Sequence, residues 1–299
     1  MLDFVPLQIT DRERLQPYLQ RDGAIMSDRC FSSLYIWSEH YGIKQCIQDD
    51  ILFIKAEIEE DICTYYMPLG ADLKRAMVLL EQDAAQRGMP YEVMLITAAA
   101  KEEIESLFPG KYEFEEQRAE FDYIYNAEEL ISLKGKKLRN KRNHVNRFLT
   151  ENNGNWEYAA VDPVADYDEI MAFLQEWCMR REGENCEDYS YEYSAIRRAL
   201  ANYDQLNMQG GIIRIGGKMV AFTLATPQNE QAMDILIEKA DAEIEGAYQA
   251  INNMFAGKSC AGYQYINREE DMGIEGLRKA KLSYHPCFLT EKYRAVPKK

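Results

Sequence analysis

Between residues 267 and 284 the chain carries Asn267, Arg268, Glu269, Glu270 and Asp271 in one polar run, then Gly273, a helix-length segment with Arg278, Lys279 and Lys281, and Tyr284. A carboxylate can take a proton from a nucleophile, a phenol can return one, and a guanidinium beside a carboxamide can orient a carbonyl. Such a set suits attack on an activated carbonyl, although the same residues also make an ion-paired loop that holds the following helix. A second run, from Asp241 through Glu243 and Glu245 to Gly246, places three acids and one glycine ahead of a helical segment. Glycine turns entering helices present backbone N–H groups to pyrophosphates. Here each close carboxylate would oppose a phosphate by about 1–4 kcal/mol, depending on screening. Those acids suit a cationic group instead, such as the ammonium of an aminoacyl donor, or simply complement the helix dipole.

The third candidate is basic. Residues 133–150 hold Lys134, Lys136, Lys137, Arg139, Lys141, Arg142 and Arg147 and no acid, within a chain of net charge −15. Read as one helix, Leu138, Val145 and Leu149 fall on one face and Lys136, Asn140, Asn143 and Arg147 on the other. The expectation is a helix that docks by its apolar side and offers Lys136, Arg139, Asn143 and Arg147 to the phosphates of a donor. A solvated connecting helix is the plainer reading.

Elsewhere the charge is negative, which disfavours wrapping of duplex DNA. No apolar run reaches the roughly 18–20 residues that span a bilayer, and the N-terminus lacks the basic and apolar regions of a signal peptide. The expected compartment is the cytoplasm, with peripheral membrane contact left open. Seven cysteines at scattered spacings read as reduced thiols. His40, His144 and His285 have no zinc-ligand spacing, so no metal is expected. The aromatic run from Cys186 to Tyr193 can stack a ligand or pack a helix entrance. Nothing indicates the oligomeric state.

The elements that must position these residues read as two α/β (α+β) halves. In the first, strands are expected at 43–48, 51–56, 62–67 and 91–97, with a turn at Asp49-Asp50 and a helix over 72–87 ended by Gly88. In the second, a hairpin over 211–226 turns at Gly216-Gly217, followed by a strand at 232–238, a helix at 246–257, a strand at 263–267, a helix at 275–282 and a last strand at 288–293. The expected domains are residues 1–125, a basic connecting helix at 126–150, and residues 151–299. Each half is a set of helices feeding a largely antiparallel sheet and a strand-helix-strand crossover, an order that resembles two Gcn5-related N-acetyltransferase folds in tandem.

Three segments sharpen that resemblance: LKGKKLRNKRNHVNRF (133–148), IEKADAEIEGAYQAINNMFA (237–256) and YINREEDMGIEGLRKAKLSYHP (265–286). With MSDRCFSSLYIW (26–37) and YYMPLG (65–70), they resemble the family built on the C-terminal domain of phosphatidylglycerol lysyltransferase. The resemblance implies tandem acetyltransferase-like domains and a relative that moves an aminoacyl group from transfer RNA to a lipid. For attack on an activated carbonyl, the residues themselves offer Glu269 or Glu270 as the proton acceptor, Tyr284 as the acid, and Arg268 with Asn267 as polarising or positioning groups. Glu243 and Glu245 would sense a transferred lysine or arginine. The expected activity is transfer of an aminoacyl or acyl group from aminoacyl-tRNA, another small-molecule donor or acyl-CoA to an amine or hydroxyl. A non-catalytic ligand-binding protein and an acyl-CoA-dependent acetyltransferase are the alternatives.

Overall fold

The computed structural model describes residues 1–182 and 190–298. In chain order its elements begin with β1 (Val5–Pro6), α1 (Arg12–Leu19), α2 (Phe31–Trp37), β2 (Lys44–Gln48), β3 (Ile51–Ala56), β4 (Cys63–Tyr66) and β5 (Leu69–Gly70). They continue with α3 (Leu73–Arg87), β6 (Tyr91–Ile96), α4 (Ala98–Leu107), β7 (Tyr112–Glu116), β8 (Asp122–Asn126), α5 (Ala127–Ser132), α6 (Arg139–Glu151) and β9 (Trp156–Ala160). The remainder are α7 (Tyr167–Glu182), α8 (Ser190–Ala201), β10 (Gln209–Ile215), β11 (Lys218–Pro227), β12 (Ala232–Ala240), α9 (Ala247–Ser259), β13 (Tyr265–Asn267), α10 (Glu275–Leu282), β14 (Phe288–Thr290) and β15 (Tyr293–Pro297).

Two compact units result: one of residues Met1–Asp122, Glu270–Ile274 and Thr290 onward, the other of Tyr123–Glu269 and Glu275–Leu289. The first unit's sheet runs β1-β2-β3-β4-β6-β15-β7, with β5 paired to β3. Asp49 and Asp50, at φ 53° and 57°, make the left-handed two-residue turn between β2 and β3. Asp72 accepts the Arg75 N–H at 2.8 Å to start α3, and Gly88 at φ 69° ends it. That helix is the crossover between β4 and β6, the parallel pair of an otherwise antiparallel sheet. Phe53, Tyr65, Met77, Leu80, Val93 and Ile96 fill its core.

The second unit repeats the plan in its sheet order, β14-β8-β13-β12-β11-β10-β9. Gly216 and Gly217, at φ 59° and 82°, turn β10 into β11, and α9 crosses from β12 to the parallel β13. Both sheets are mixed and largely antiparallel, the α/β class read from the sequence. Each also takes one strand from a distant part of the chain: β15 lies between β6 and β7, and β8 between β13 and β14.

Three expectations change. Residues 133–150 are not one helix, because Leu133 (φ 46°) and Gly135 (φ 86°) adopt left-handed conformations and α6 starts only at Arg139. Lys136 therefore precedes the helix and does not share a face with Arg147. The last strand, expected at 288–293, divides into β14 and β15, which belong to different sheets. Cys178 is disulfide-bonded, against the expectation of thiols throughout, while Cys30, Cys46, Cys63, Cys260 and Cys287 are free.

The division at 291–292 serves a buried ion cluster in the first unit. Lys292, 1% exposed, places Nζ 2.9 Å from Asp122 Oδ1 and also pairs with Asp28. Asp122 accepts both the Ser27 backbone N–H at 2.6 Å and its hydroxyl at 3.0 Å. Burial acts to discharge the lysine, but Asp122, Asp28 and Glu270 outweigh it and raise its pKa.

Candidate functional site

The second unit gathers a largely buried polar cluster where β13 ends. The parallel pairing of β12 with β13 runs Ala232 to Tyr265, Met233 to Ile266 and Asp234 to Asn267, and stops there. β13 ends with that pair, at Asn267, while β12 continues to Ala240. Immediately past the last pair, Arg268 sets Nη2 2.7 Å from Glu238 Oε1 on β12. Glu238 Oε2 in turn accepts Asn252 Nδ2 of α9 at 3.0 Å.

Aromatic rings lie around this pair. The Arg268 guanidinium lies 4.8 Å from the Tyr284 ring centroid and 5.7 Å from that of Tyr125. Tyr125 donates its hydroxyl to the Lys281 carbonyl at 2.8 Å, and the Lys281 ammonium bonds the Arg268 and Glu269 carbonyls. These bonds fix the backbone that carries the guanidinium. Lys141, from α6, lies over the Tyr284 ring at 4.1 Å.

The electrostatics of this cluster are uneven. Burial raises the pKa of Tyr284, only partly offset by Arg268, and the phenol stays protonated. Burial and then the charge of Arg268 push the Lys141 ammonium down to about 8. Arg268 Nη1 is buried without a hydrogen-bond partner among the described residues, as is Asn252 Oδ1. An orphaned guanidinium N–H costs more than a satisfied one, and a ligand oxygen at that atom would resolve it.

The structure brings Arg268 and Tyr284 together across 16 residues of sequence. Asn267, fully buried, directs its side-chain oxygen to the Glu269 N–H at 2.8 Å and so shapes the turn in which Glu269 sits at φ 54°. Glu270 belongs to the first unit, where it acts on Lys292. Glu245 pairs with Arg147 at 2.6 Å, and Arg147 also pairs with Glu151 at 2.7 Å. Asp241 pairs with Arg180, while Glu243 is 81% exposed and 3.8 Å from the same arginine. Lys136, Arg139 and Asn143 are exposed. Part of the run from Cys186 to Tyr193, residues 186–189, lies outside the described residues.

Gly246, at φ 82°, opens α9 where α6 packs against it: a Cβ there would stand 2.4 Å from the His144 carbonyl oxygen. Both the backbone conformation and the space demand glycine. Gly246→Ala is expected to lower stability by at least about 2 kcal/mol, read as a lower urea midpoint; an unchanged midpoint would mean that α6 yields freely.

Residues that sequence reasoning passed over include Glu238, Asn252 and Tyr125. A signal existed for two of them. Glu238 follows the apolar run Ile235-Leu236-Ile237, and Asn252 lies among Ala250, Ile251 and Phe255 on the buried side of α9. A polar residue inside an apolar pattern needs a partner, and these two are partners.

Comparison with known proteins agrees with this architecture. The profile of the family described as phosphatidylglycerol lysyltransferase, C-terminal, matches residues 23–296. A conserved protein of unknown function from Bacteroides thetaiotaomicron is 37% identical, with 100% of both chains covered and a TM-score of 0.93. The structure of L-PGS from Bacillus licheniformis is 17% identical, covers 97% of this chain and 92% of its own, and gives a TM-score of 0.68. A tandem GNAT protein from the clavulanic acid biosynthesis pathway shares the fold over 100% of both chains at 10% identity, with a TM-score of 0.56. A protein of Mycoplasmoides gallisepticum is 24% identical over 177 residues, and this chain spans about half of its length (54%). Among the described residues, no helix is long and apolar enough to cross a membrane. With its tandem acetyltransferase-like fold and a match over nearly all of its length, the chain belongs to the phosphatidylglycerol lysyltransferase C-terminal family.

Proposed function

We propose that the chain is an acyltransferase that moves an aminoacyl group from an ester donor, such as aminoacyl-tRNA, to an amine or hydroxyl acceptor at the polar cluster where β13 ends. The observation that carries this reading is Arg268: anchored by Glu238, buried among aromatic rings, and left with Nη1 unsatisfied among the described residues. An N–H held rigidly in a dry site stabilises the oxygen of a carbonyl under attack. Tyr284, kept protonated by burial, is the donor to the leaving oxygen. Asn267 shapes the turn that follows Arg268, and Asn252 steadies Glu238.

An ester of an amino acid suits the surroundings better than a coenzyme A thioester. The His144 carbonyl approaches Gly246 closely and Asp241, Glu243 and Glu245 gather before α9. A pyrophosphate there would meet oxygen and negative charge, and the same acids accept an ammonium. Glu243, the most exposed of the three side chains, is the sensor for a cationic transferred group.

Mass spectrometry of products formed from charged transfer RNA and from acyl-CoA, with amine and hydroxyl acceptors, tests the reading. Acylated acceptor from the aminoacyl ester is the expected result. Donor retained unmodified, with no acylated product from either class, would leave a binding protein. Reversal of Lys136 and Arg139 to glutamate is expected to weaken transfer RNA binding and to flatten its salt dependence, by about one unit of slope for each phosphate that the variant no longer neutralises. An unaltered salt series would make the segment structural.

A further inference from the structure

We propose that Lys141 is the proton acceptor of the transfer, its amine taking the proton of the attacking group beside the face of Tyr284; the inference rests on the transferase reading above. Its position sets it apart from the other cations of its segment. Lys136 and Arg139 are exposed, Arg142 donates to the Leu133 carbonyl, and Arg147 is held by Glu151 and Glu245. Lys141 is half-buried and set against an aromatic ring, with Nζ 4.1 Å from the Tyr284 centroid.

What faces it there is unusual for an ammonium. Among the described residues no carboxylate lies within ion-pair distance of Lys141. The charged group that acts on it is Arg268, over the same ring, and the carboxylate of that neighbourhood, Glu238, is bonded to Arg268 and Asn252. Tyr284 and Tyr125, the titratable groups on the other elements around the cluster, both have raised pKa values through burial and carry no charge. A half-buried cation facing a second cation and no anion is destabilised in its charged form. With the ammonium lowered to about 8, about a quarter of the side chain is neutral at pH 7.5. A base poised near the working pH is most effective.

The sequence pointed instead to Glu269 or Glu270 as this acceptor. Glu270 lies in the first unit, where its charge helps raise the pKa of Lys292, and Glu269 is bonded through its backbone to Tyr123, Lys281 and Asn267 among its contacts. In the step assigned here, the acceptor's N–H or O–H gives its proton to Lys141 as its nitrogen or oxygen bonds the acyl carbon. The bond from that carbon to the donor's ester oxygen breaks, and that oxygen takes a proton from Tyr284. Transfer of the Lys141 proton back to Tyr284 through solvent restores both groups, so acyl donor and acceptor become acylated acceptor and free hydroxyl.

Two measurements on the full chain test the assignment. Amine acylation by a small reagent, followed peptide by peptide by mass spectrometry, should show Lys141 half-maximally reactive near pH 8, not near the roughly 10.4 of a free lysine. Lys141→Arg keeps a cation over the ring and cannot act as a base at these pH values. Turnover should therefore fall at least about 100-fold with donor affinity kept, and kcat/KM of the parent protein should rise with pH through about 8. Full turnover in Lys141→Arg, or labelling of Lys141 like a free lysine, would overturn the proposal. Loss of turnover in Glu269→Gln at unchanged Lys141 labelling would return the role to that carboxylate. Failure of the transferase reading looks different: the parent chain transfers nothing, while Lys141 still titrates near 8.

Discussion

Replacement of Lys292 by methionine should destabilise the first unit by about 3–5 kcal/mol, and it is the substitution expected to harm the fold most. The side chain fits in size, but the missing ammonium leaves Asp122, 0% exposed, without its cation and with Asp28 and Glu270 nearby. Removing one member of a buried pair exposes the other to the full penalty of an uncompensated charge. Urea unfolding should show a separate early transition, or loss of soluble protein. Asp122→Asn in the same background removes the stranded charge, and recovery of part of the lost stability would identify the carboxylate as its source. An unshifted transition in Lys292→Met would mean that water reaches the cluster.

The largest expected effect on activity lies at Arg268. Arg268→Lys retains a cation for Glu238 but gives up the planar fork, and with it the unsatisfied N–H. Turnover should fall about 10²- to 10³-fold, the scale seen when one rigid oxyanion donor is removed, with little change in unfolding midpoint. Arg268→Met should lose stability as well, because Glu238 would remain largely buried without its counter-charge, held by Asn252. Equal turnover in Arg268→Lys and the parent would remove the guanidinium from the chemistry; equal destabilisation in both variants would make it a structural pair.

Much of the architecture was legible because its determinants are local. Asp49-Asp50 and Gly216-Gly217 mark left-handed turns, Gly88 ends α3, and the apolar runs between them set strand positions. The break at Leu133 to Gly135 was hidden because a run of lysines and arginines favours helix strongly enough to mask a single glycine. Division of the last strand could not be read either, since its cause, the Lys292 cluster, joins residues 28, 122 and 292. The cluster was legible in part for the same reason. Arg268 and Tyr284 stand out by type at a strand end and a helix end, whereas Glu238, Asn252 and Lys141 gain their significance only from contacts across the fold with Arg268 and Tyr284. A lysine in a basic segment looks solvated until the helix phase shows which one turns inward.

The placement of β15 between β6 and β7 bears on how the protein is made. Translation delivers β7 by residue 116 and β15 only from residue 293, an interval of roughly 10–35 s at ordinary elongation rates. Throughout that time the facing edges of β6 and β7 have no partner, and unpaired edges invite pairing with other nascent chains. The first unit to emerge is thus the last to close. A chain that stopped before Tyr293 would leave β7 without its link to β6, the first sheet open one strand in from its edge.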